Sequence, residues 1–190
     1  MEEKKEIDII RCVLGGDRDS YALLVDTYKA PIFNLAYRMT GSYEDASDLA
    51  QETFVKAFEN LGRFDQEKKF FTWLYTIGLN LVRNHLKKGE KVPLRDFAED
   101  TDFPSRDSSS DPEHSLIHEQ RVRHLNMCLN RLSDNLKEAV VLRFYQELSF
   151  EEIAEISGLS LGAAKMRAYR GLEKLRELME EQSGEPDRRL

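Results

Sequence analysis

Apolar residues recur at three- and four-residue intervals through both halves of the chain, and strand-like alternation is absent. Ile7, Ile10, Val13 and Leu14 mark a short helix that stops at Gly15-Gly16. Leu24, Tyr28, Ile32, Leu35 and Met39 line the inner face of a second, with Ser20 its expected cap and Pro31 the place for any bend. Gly41-Ser42 stops it, and Ser42 followed by Asp45 resembles an acidic variant of the capping box. A third helix is predicted from about Tyr43 to Leu61, burying Ala46, Leu49, Ala50, Ala57 and Phe58 or a close subset. After a loop over 62–69, a fourth carries Leu74, Ile77 and Leu81 inward.

Further along, Leu116 to Leu132 reads as one helix and Ser133 to Tyr145 as the next. Ser149-Phe150-Glu151-Glu152 is a capping box, its hydroxyl and carboxylate satisfying free amides reciprocally. The helix it opens turns Ile153 and Ile156 to the core, while Ala154 allows close approach of a neighbour. In Ser157-Gly158-Leu159-Ser160, Gly158 can take a positive φ, Leu159 plugs inward and Ser160 caps the next helix. That is a helix-turn-helix pattern.

Between the halves, Gly89 to Pro112 holds Pro93, Pro104, Pro112, a Ser108-Ser109-Ser110 triplet and seven acidic residues, a composition unsuited to a packed element. The fold expected is therefore all-α: two helical domains, at 1–89 and 114–181, joined by a flexible acidic linker at 90–113 and followed by a tail at 182–190.

At 190 residues, with 41% hydrophobic and 33% charged, the chain can bury a core. Its net charge of −7 argues against a simple cationic nucleic-acid coat. The average conceals a division: residues 1–62 carry −5, 63–91 carry +4, 92–120 carry −6 and 121–190 balance to zero. Cys12 and Cys128 stand far apart without a C-x-x-C, which indicates neither a disulfide framework nor a zinc ribbon. The Met-Glu-Glu-Lys-Lys-Glu start lacks the apolar segment of a signal peptide, and no apolar run approaches the ~20 residues that span a bilayer. A soluble, cytoplasmic protein is expected.

Three surfaces carry candidate chemistry. The helix after Ser160 bears Lys165, Arg167, Arg170, Lys174 and Arg176 against Glu173, with Ala164, Ala168, Leu172, Leu175 and Met179 as its inward stripe. A cationic helix whose N-terminal dipole also favours phosphate suits the DNA major groove; a solvated basic face is the plainer alternative. In the basic block, Phe64, Phe70, Phe71, Trp73 and Tyr75 are interleaved with Arg63, Lys68 and Lys69, then followed by Asn80, Arg83, Asn84, Lys87 and Lys88. Trp73, Thr76, Asn80, Asn84 and Lys87 approximate one helical stripe. Aromatic faces stack on unpaired bases, amides read base edges and cations track phosphate, which suits single-stranded DNA, although some of these aromatics belong to the core. On the third helix, Asp45, Asp48, Gln51, Glu52 and Glu59 lie beside an apolar stripe. They fit a docking surface for a basic partner or a solvated face better than a metal site.

The run Asp45-Ala46-Ser47-Asp48-Leu49-Ala50-Gln51-Glu52-Thr53-Phe54, then Phe71-Thr72-Trp73-Leu74 with Ile77 and Asn80, resembles region 2 of bacterial extracytoplasmic-function sigma factors of the sigma-70 family. Leu148 to Ala154, Gly158-Leu159-Ser160 and Lys165 to Arg170 resemble their region 4. The resemblance implies an RNA polymerase specificity subunit, free of catalysis, cofactor and metal, whose partners are core polymerase (β′ clamp helices and β flap), promoter DNA and an anti-sigma factor. It implies that Asp45, Asp48, Gln51 and Glu52 dock on the clamp helices. Arg63, Phe64, Lys68, Lys69, Phe70, Trp73 and Asn80 would capture a flipped base of the −10 strand, with Arg83, Asn84, Lys87 and Lys88 holding adjacent DNA. Ser160, Lys165, Met166, Arg167, Tyr169, Arg170 and Lys174 would face the −35 duplex, and the acidic linker would run toward the polymerase active-site channel. Where the family commonly opens its recognition helix Gly-Thr-Val-Lys/Arg-Ser-Arg, this chain reads Gly162-Ala163-Ala164-Lys165-Met166-Arg167, without two hydroxyls. Gly171-Leu172 replaces a more usual Ala-Arg.

An operator-binding helix-turn-helix regulator that acts without polymerase is the alternative. An enzyme ranks last: His114 and His118 share a helical face beside Glu119, but the order is not H-E-x-x-H. No phosphate-cradling loop or activated nucleophile pattern is present.

Overall fold

The computed structural model describes residues 3–89 and 112–183, with side chains for 4–89 and 120–181. His114, His118, Glu119 and the linker from 90 to 111 thus lie outside the described side chains. Among the described residues every regular element is helical.

Helix α1 (Glu3–Leu14) buries Ile10 and Val13 and ends at a turn in which Gly16 takes φ 109°. Asp17, not the expected Ser20, supplies the next cap. Its carboxylate accepts from the Ser20 hydroxyl at 2.6 Å and amide at 3.4 Å, and a short 3-10 turn at Arg18–Ser20 feeds α2 (Tyr21–Thr40). Ser20 itself is helical and makes no cap bond. Pro31 sits inside α2, which continues through it to Gly41, whose φ of 74° and amide bond to Tyr37 close the helix. The capping pair opening α3 (Tyr43–Asn60) is half of the one expected: Ser42 Oγ accepts from the Asp45 amide at 3.2 Å. The Ser42 amide, however, donates to Thr40 Oγ1, because the Asp45 carboxylate faces His85.

Helix α3 buries Ala46, Leu49, Ala50, Thr53, Phe54 and Ala57, while Phe58 is half-buried with its ring edge-on to Tyr21. Helix α4 (Phe70–Lys88) buries Phe70, Thr72, Leu74, Tyr75, Gly78, Leu79 and Val82. Ile77 and Leu81, expected inward, are only half-buried. The reason is that α4 is covered on more than one side: α2 and α3 pack on it from its own bundle and a helix of the second half packs on it as well. The buried arc is accordingly wider than one apolar stripe.

The second half comprises α5 (Pro112–Asn130), α6 (Asp134–Val140), α7 (Phe150–Ser157) and α8 (Leu161–Ser183). The helix expected to run unbroken to Tyr145 widens at Val141–Tyr145 into a π turn. Leu129, Val140, Val141, Leu142, Ile153, Ile156, Ala164 and Ala168 form its core. On α8 the buried stripe is Ala164, Ala168, Gly171, Leu175 and Leu178. Leu172, expected inward, is 43% exposed, and Met179 is half-buried. Gly171 takes the inward place because α8 passes so close to α6 that a Cβ there would lie 2.6 Å from Val140 Cγ2 and 3.0 Å from the Leu136 carbonyl.

The two halves meet along α4 and α7, and where the end of α2 faces α6 and the π turn. Several polar bridges cross this seam, within a hydrophobic cluster that is continuous through both halves. Lys137 Nζ, buried, donates to the Met39 carbonyl at 2.7 Å and to Asn130 Oδ1 at 2.6 Å. Arg38 donates to Asn126 Oδ1 at 2.9 Å and stacks 3.9 Å above the Tyr145 ring. Tyr75 OH donates to Gln146 Oε1 at 2.7 Å. None of the described helices is long and apolar enough to cross a membrane.

Candidate nucleic-acid interface

The turn before α8 is built as its sequence dictates. The α7 capping box closes with Ser149 Oγ accepting from the Glu152 amide at 3.1 Å and Glu152 Oε2 accepting from the Ser149 amide at 3.0 Å. Burial pushes the Glu152 carboxyl up, but the Ser149 amide and hydroxyl together with Lys69 outweigh it and hold the group below its ordinary range. Gly158 ends α7 at φ 68°, and the Leu159 amide donates back to the Ala154 carbonyl at 2.8 Å. Ser160 Oγ then accepts from the Ala163 amide at 3.2 Å, opening α8.

With the buried stripe against α6 and α7, the opposite side of α8 presents Lys165, Met166, Tyr169 and Arg170 to solvent. Met166 is 53% and Tyr169 59% exposed. The Tyr169 ring rests 5.8 Å from Phe150, which Lys165 Nζ also overlies at 5.8 Å and the Arg143 guanidinium at 4.8 Å. Phe150 is thus an aromatic platform under this surface. It was not among the expected site residues, although its place directly after the capping serine marks it as the first residue of α7. Lys174 and Arg176 pair with Glu177 and Glu180 one turn on, at 2.7 and 2.8 Å. Lys165, Arg167 and Arg170 make no ion pair with a described residue, so the positive charge of α8 gathers in its first half.

In the first half of the chain the aromatics divide. Phe64 and Phe70, expected at the −10 strand, are instead core: both are buried, ring against ring at 5.5 Å. They belong to the core cluster at the two ends of the loop that joins the 3-10 turn at Leu61–Arg63 to α4. Trp73 is half-buried upon them, 5.3 and 5.7 Å away. The intervening loop folds on itself through the Lys68 amide to the Asp65 carbonyl, and Arg11 of α1 donates to Gln66 Oε1 at 3.1 Å. A cleft of about 410 Å³ opens between α1 and this loop, lined by Lys4, Asp8, Arg11, Gln66 and Lys68 among others.

From Trp73 a stripe continues along α4 through half-buried Thr76 to Asn80, Asn84 and Lys87, all exposed, with Lys88 and, in the loop, Arg63 and Lys68 exposed as well. Two cations of this group are engaged by the second half. Arg83 forms a two-pronged pair with Glu138, Nε and Nη2 donating at 2.8 and 2.7 Å, and Ser157 Oγ donates to the same carboxylate at 2.8 Å. Lys69 donates to Glu152 Oε1 at 3.1 Å.

On α3, Asp48, Gln51 and Glu52 are exposed around Val55, itself half in solvent, and Glu52 pairs with Lys56 at 3.3 Å. The Asp45 carboxylate faces α4, 3.6 Å from His85 Nε2. The face is acidic with an apolar centre, which Val55 supplies and which the charge pattern alone does not reveal.

Two family models match the chain, "Sigma-70 region 2" over residues 24–92 and "Sigma-70, region 4" over 123–175. Among curated relatives, the chain is 34% identical to ECF RNA polymerase sigma factor SigW of Bacillus subtilis strain 168, over 88% of this chain and 92% of that one. It is 36% identical to RNA polymerase sigma factor CarQ of Myxococcus xanthus, over 87% and 92%. It is 31% identical to the ECF RNA polymerase sigma-E factor of Haemophilus influenzae, over 92% and 95%. The fold is shared with CnrH, solved in complex with the cytosolic domain of CnrY, at a TM-score of 0.69 and 24% identity over 91% of this chain and 96% of that one. RpoE of Bartonella quintana, solved with the anti-sigma factor NepR, has a TM-score of 0.63 at 19% identity, over 84% and 96%.

Proposed function

The chain belongs to the extracytoplasmic-function RNA polymerase sigma factors, and on that premise we propose which of its surfaces carry out each step of promoter recognition. As a sigma factor it is a non-enzymatic initiation factor. The observation that carries the assignment is the pairing, in one chain, of two differently built exposed surfaces, each with side chains suited to nucleic acid. One is a capped helix-turn-helix whose α8 turns Lys165, Met166, Tyr169 and Arg170 outward. The other is a helix with Trp73, Asn80, Asn84, Lys87 and Lys88 along one stripe.

A rigid helix with exposed cations beside its N-terminus is suited to duplex DNA, entering the major groove at the −35 element. An indole face and a line of amides suit an unpaired strand, and stacking of about 1–3 kcal/mol per base offsets part of the cost of melting at −10. Trp73 and Asn80 act on the base, Asn84, Lys87 and Lys88 on the strand beside it, and Arg63 and Lys68 approach from the loop. Phe64 and Phe70 act beneath Trp73 as its support. Arg83 and Lys69 join only after releasing Glu138 and Glu152. The acidic face of α3, with Asp48, Gln51 and Glu52 around Val55, docks on a basic surface of core polymerase, with Asp45 at its margin. The work is done in the cytoplasm. An inhibitory partner protein is also proposed, since a protein of this fold, RpoE of Bartonella quintana, is solved with an anti-sigma factor.

Run-off transcription with core polymerase on a promoter library tests the reading. Initiation from a subset of promoters should depend on the added protein. Initiation that never depends on it would overturn the assignment. An operator-binding regulator independent of polymerase is not favoured, because residues 24–92 match the region 2 model.

A further inference from the structure

At 100° per residue, the side of α8 directly opposite its buried stripe is the line Gly162, Met166, Tyr169 and Glu173, with Lys165 on one flank and Arg170 on the other. The centre of this face, over its first two turns, is apolar. Gly162 has no side chain, and the place of a Cβ there is open space, so the backbone can come close to a groove floor. Ala163 beside it offers a methyl group. Ser160, which precedes these turns, accepts from the Ala163 amide as the helix cap. Met166, more than half exposed, has no donor, and Tyr169 beside it is steadied by Phe150. No amide or carboxylate in these turns can read a donor–acceptor pattern from the centre of the face; the charged groups stand at its sides, where the phosphate chains run.

In the major groove the apolar feature that separates one base from the rest is the C5-methyl of thymine. A thioether side chain is flexible and polarisable enough to close over it. We propose that Met166 is a specificity-determining residue that packs on the C5-methyl of a thymine in the −35 duplex, with Tyr169 walling the contact and Lys165 and Arg170 fixing the helix on the backbone. This rests on the assignment of α8 to the −35 element.

The test uses the full chain with core polymerase on a promoter from which that holoenzyme initiates. Each thymine of the −35 segment, on either strand, is replaced singly by deoxyuridine, which removes the methyl and nothing else. One position should lower abortive initiation about fourfold at subsaturating holoenzyme, the effect of one buried methyl. The penalty should vanish in Met166→Ala, whose exposed site leaves the fold intact, and persist in Met166→Leu. A −35 segment without thymine, no response at any position, or an equal penalty in Met166→Ala would overturn the proposal while leaving the −35 assignment standing. Initiation unaffected by scrambling the whole −35 segment would overturn that assignment and the proposal with it.

Discussion

Gly171 shows how far a single position can be constrained by its neighbour rather than by its own helix. In an isolated helix, Gly→Ala gains about 1 kcal/mol. Here the added Cβ would lie 2.6 Å from a methyl of buried Val140 and 3.0 Å from the Leu136 carbonyl, and backbone of a packed helix cannot give way cheaply. Overpacking of that kind costs about 1–3 kcal/mol, which outweighs the propensity gain. Gly171→Ala should therefore lower the urea midpoint, and Val140→Ala in the same chain should return part of the loss. An unchanged or raised midpoint would mean that α8 slides outward freely. The same distinction between packing and exposure governs the −10 stripe. Asn80 is exposed, so Asn80→Ala should leave stability within about 0.5 kcal/mol. Promoter opening, monitored by permanganate reactivity of the melted strand, should nevertheless fall by the equivalent of about 1–3 kcal/mol if this amide meets a base edge. Opening at the wild-type rate in both Asn80→Ala and the Trp73→Ala, Asn80→Ala pair would remove these residues from base capture.

At the scale of elements, what the sequence made legible is what depends on near neighbours. The α7 capping box, the left-handed Gly158 and the Ser160 cap all involve residues within five positions of one another, and each is present as expected. Expectation failed where a second element intervened. Ile77 and Leu81 lie on the apolar stripe of α4, but the arc that is covered depends on helices contributed by both halves of the chain. Leu172 lost its inward place to a glycine, which no hydrophobic pattern scores. Lys137 is the clearest case. On an exposed turn of α6 a lysine would be unremarked, yet packing against the end of α2 buries it, and that burial lowers its pKa from an ordinary 10.5 to about 8 despite the opposing pull of Asp134. Between those values the unfolded chain binds a proton that the folded chain does not, so this group makes stability rise with pH from about 8 toward 10.5. The full span is worth at most about 3 kcal/mol. Replacing it in Lys137→Met should abolish that rise. Urea midpoints of the two proteins between pH 7 and 10 should diverge progressively in favour of the wild type above pH 8, and parallel curves would refute the assignment.

For the whole molecule, the contacts no local pattern reveals are those across the seam, made by residues 55 to 98 positions apart. Beside the apolar residues shared by the two halves, these are hydrogen bonds and ion pairs of the kind that interfaces between domains carry. The pair at its centre is Arg83 with Glu138, whose side chain is 4% exposed and bound also by Ser157. A buried carboxylate that loses its cation costs several kcal/mol unless it regains water. Arg83→Glu, which alters the surface of α4 rather than the core of either bundle, would set two carboxylates face to face. The least costly response is for the halves to part, hydrating both groups and releasing Lys69 from Glu152. Small-angle scattering should then show a larger radius of gyration than the wild type, and thermal unfolding should divide into two transitions. Exchanging the charges, Arg83→Glu with Glu138→Arg, should restore much of the compact form. An unchanged radius with a single transition in Arg83→Glu would show that the seam is held without this pair. Arg83 and Lys69 would then reach promoter DNA only by opening a seam that other contacts hold, such as those of Lys137, Arg38 and Tyr75.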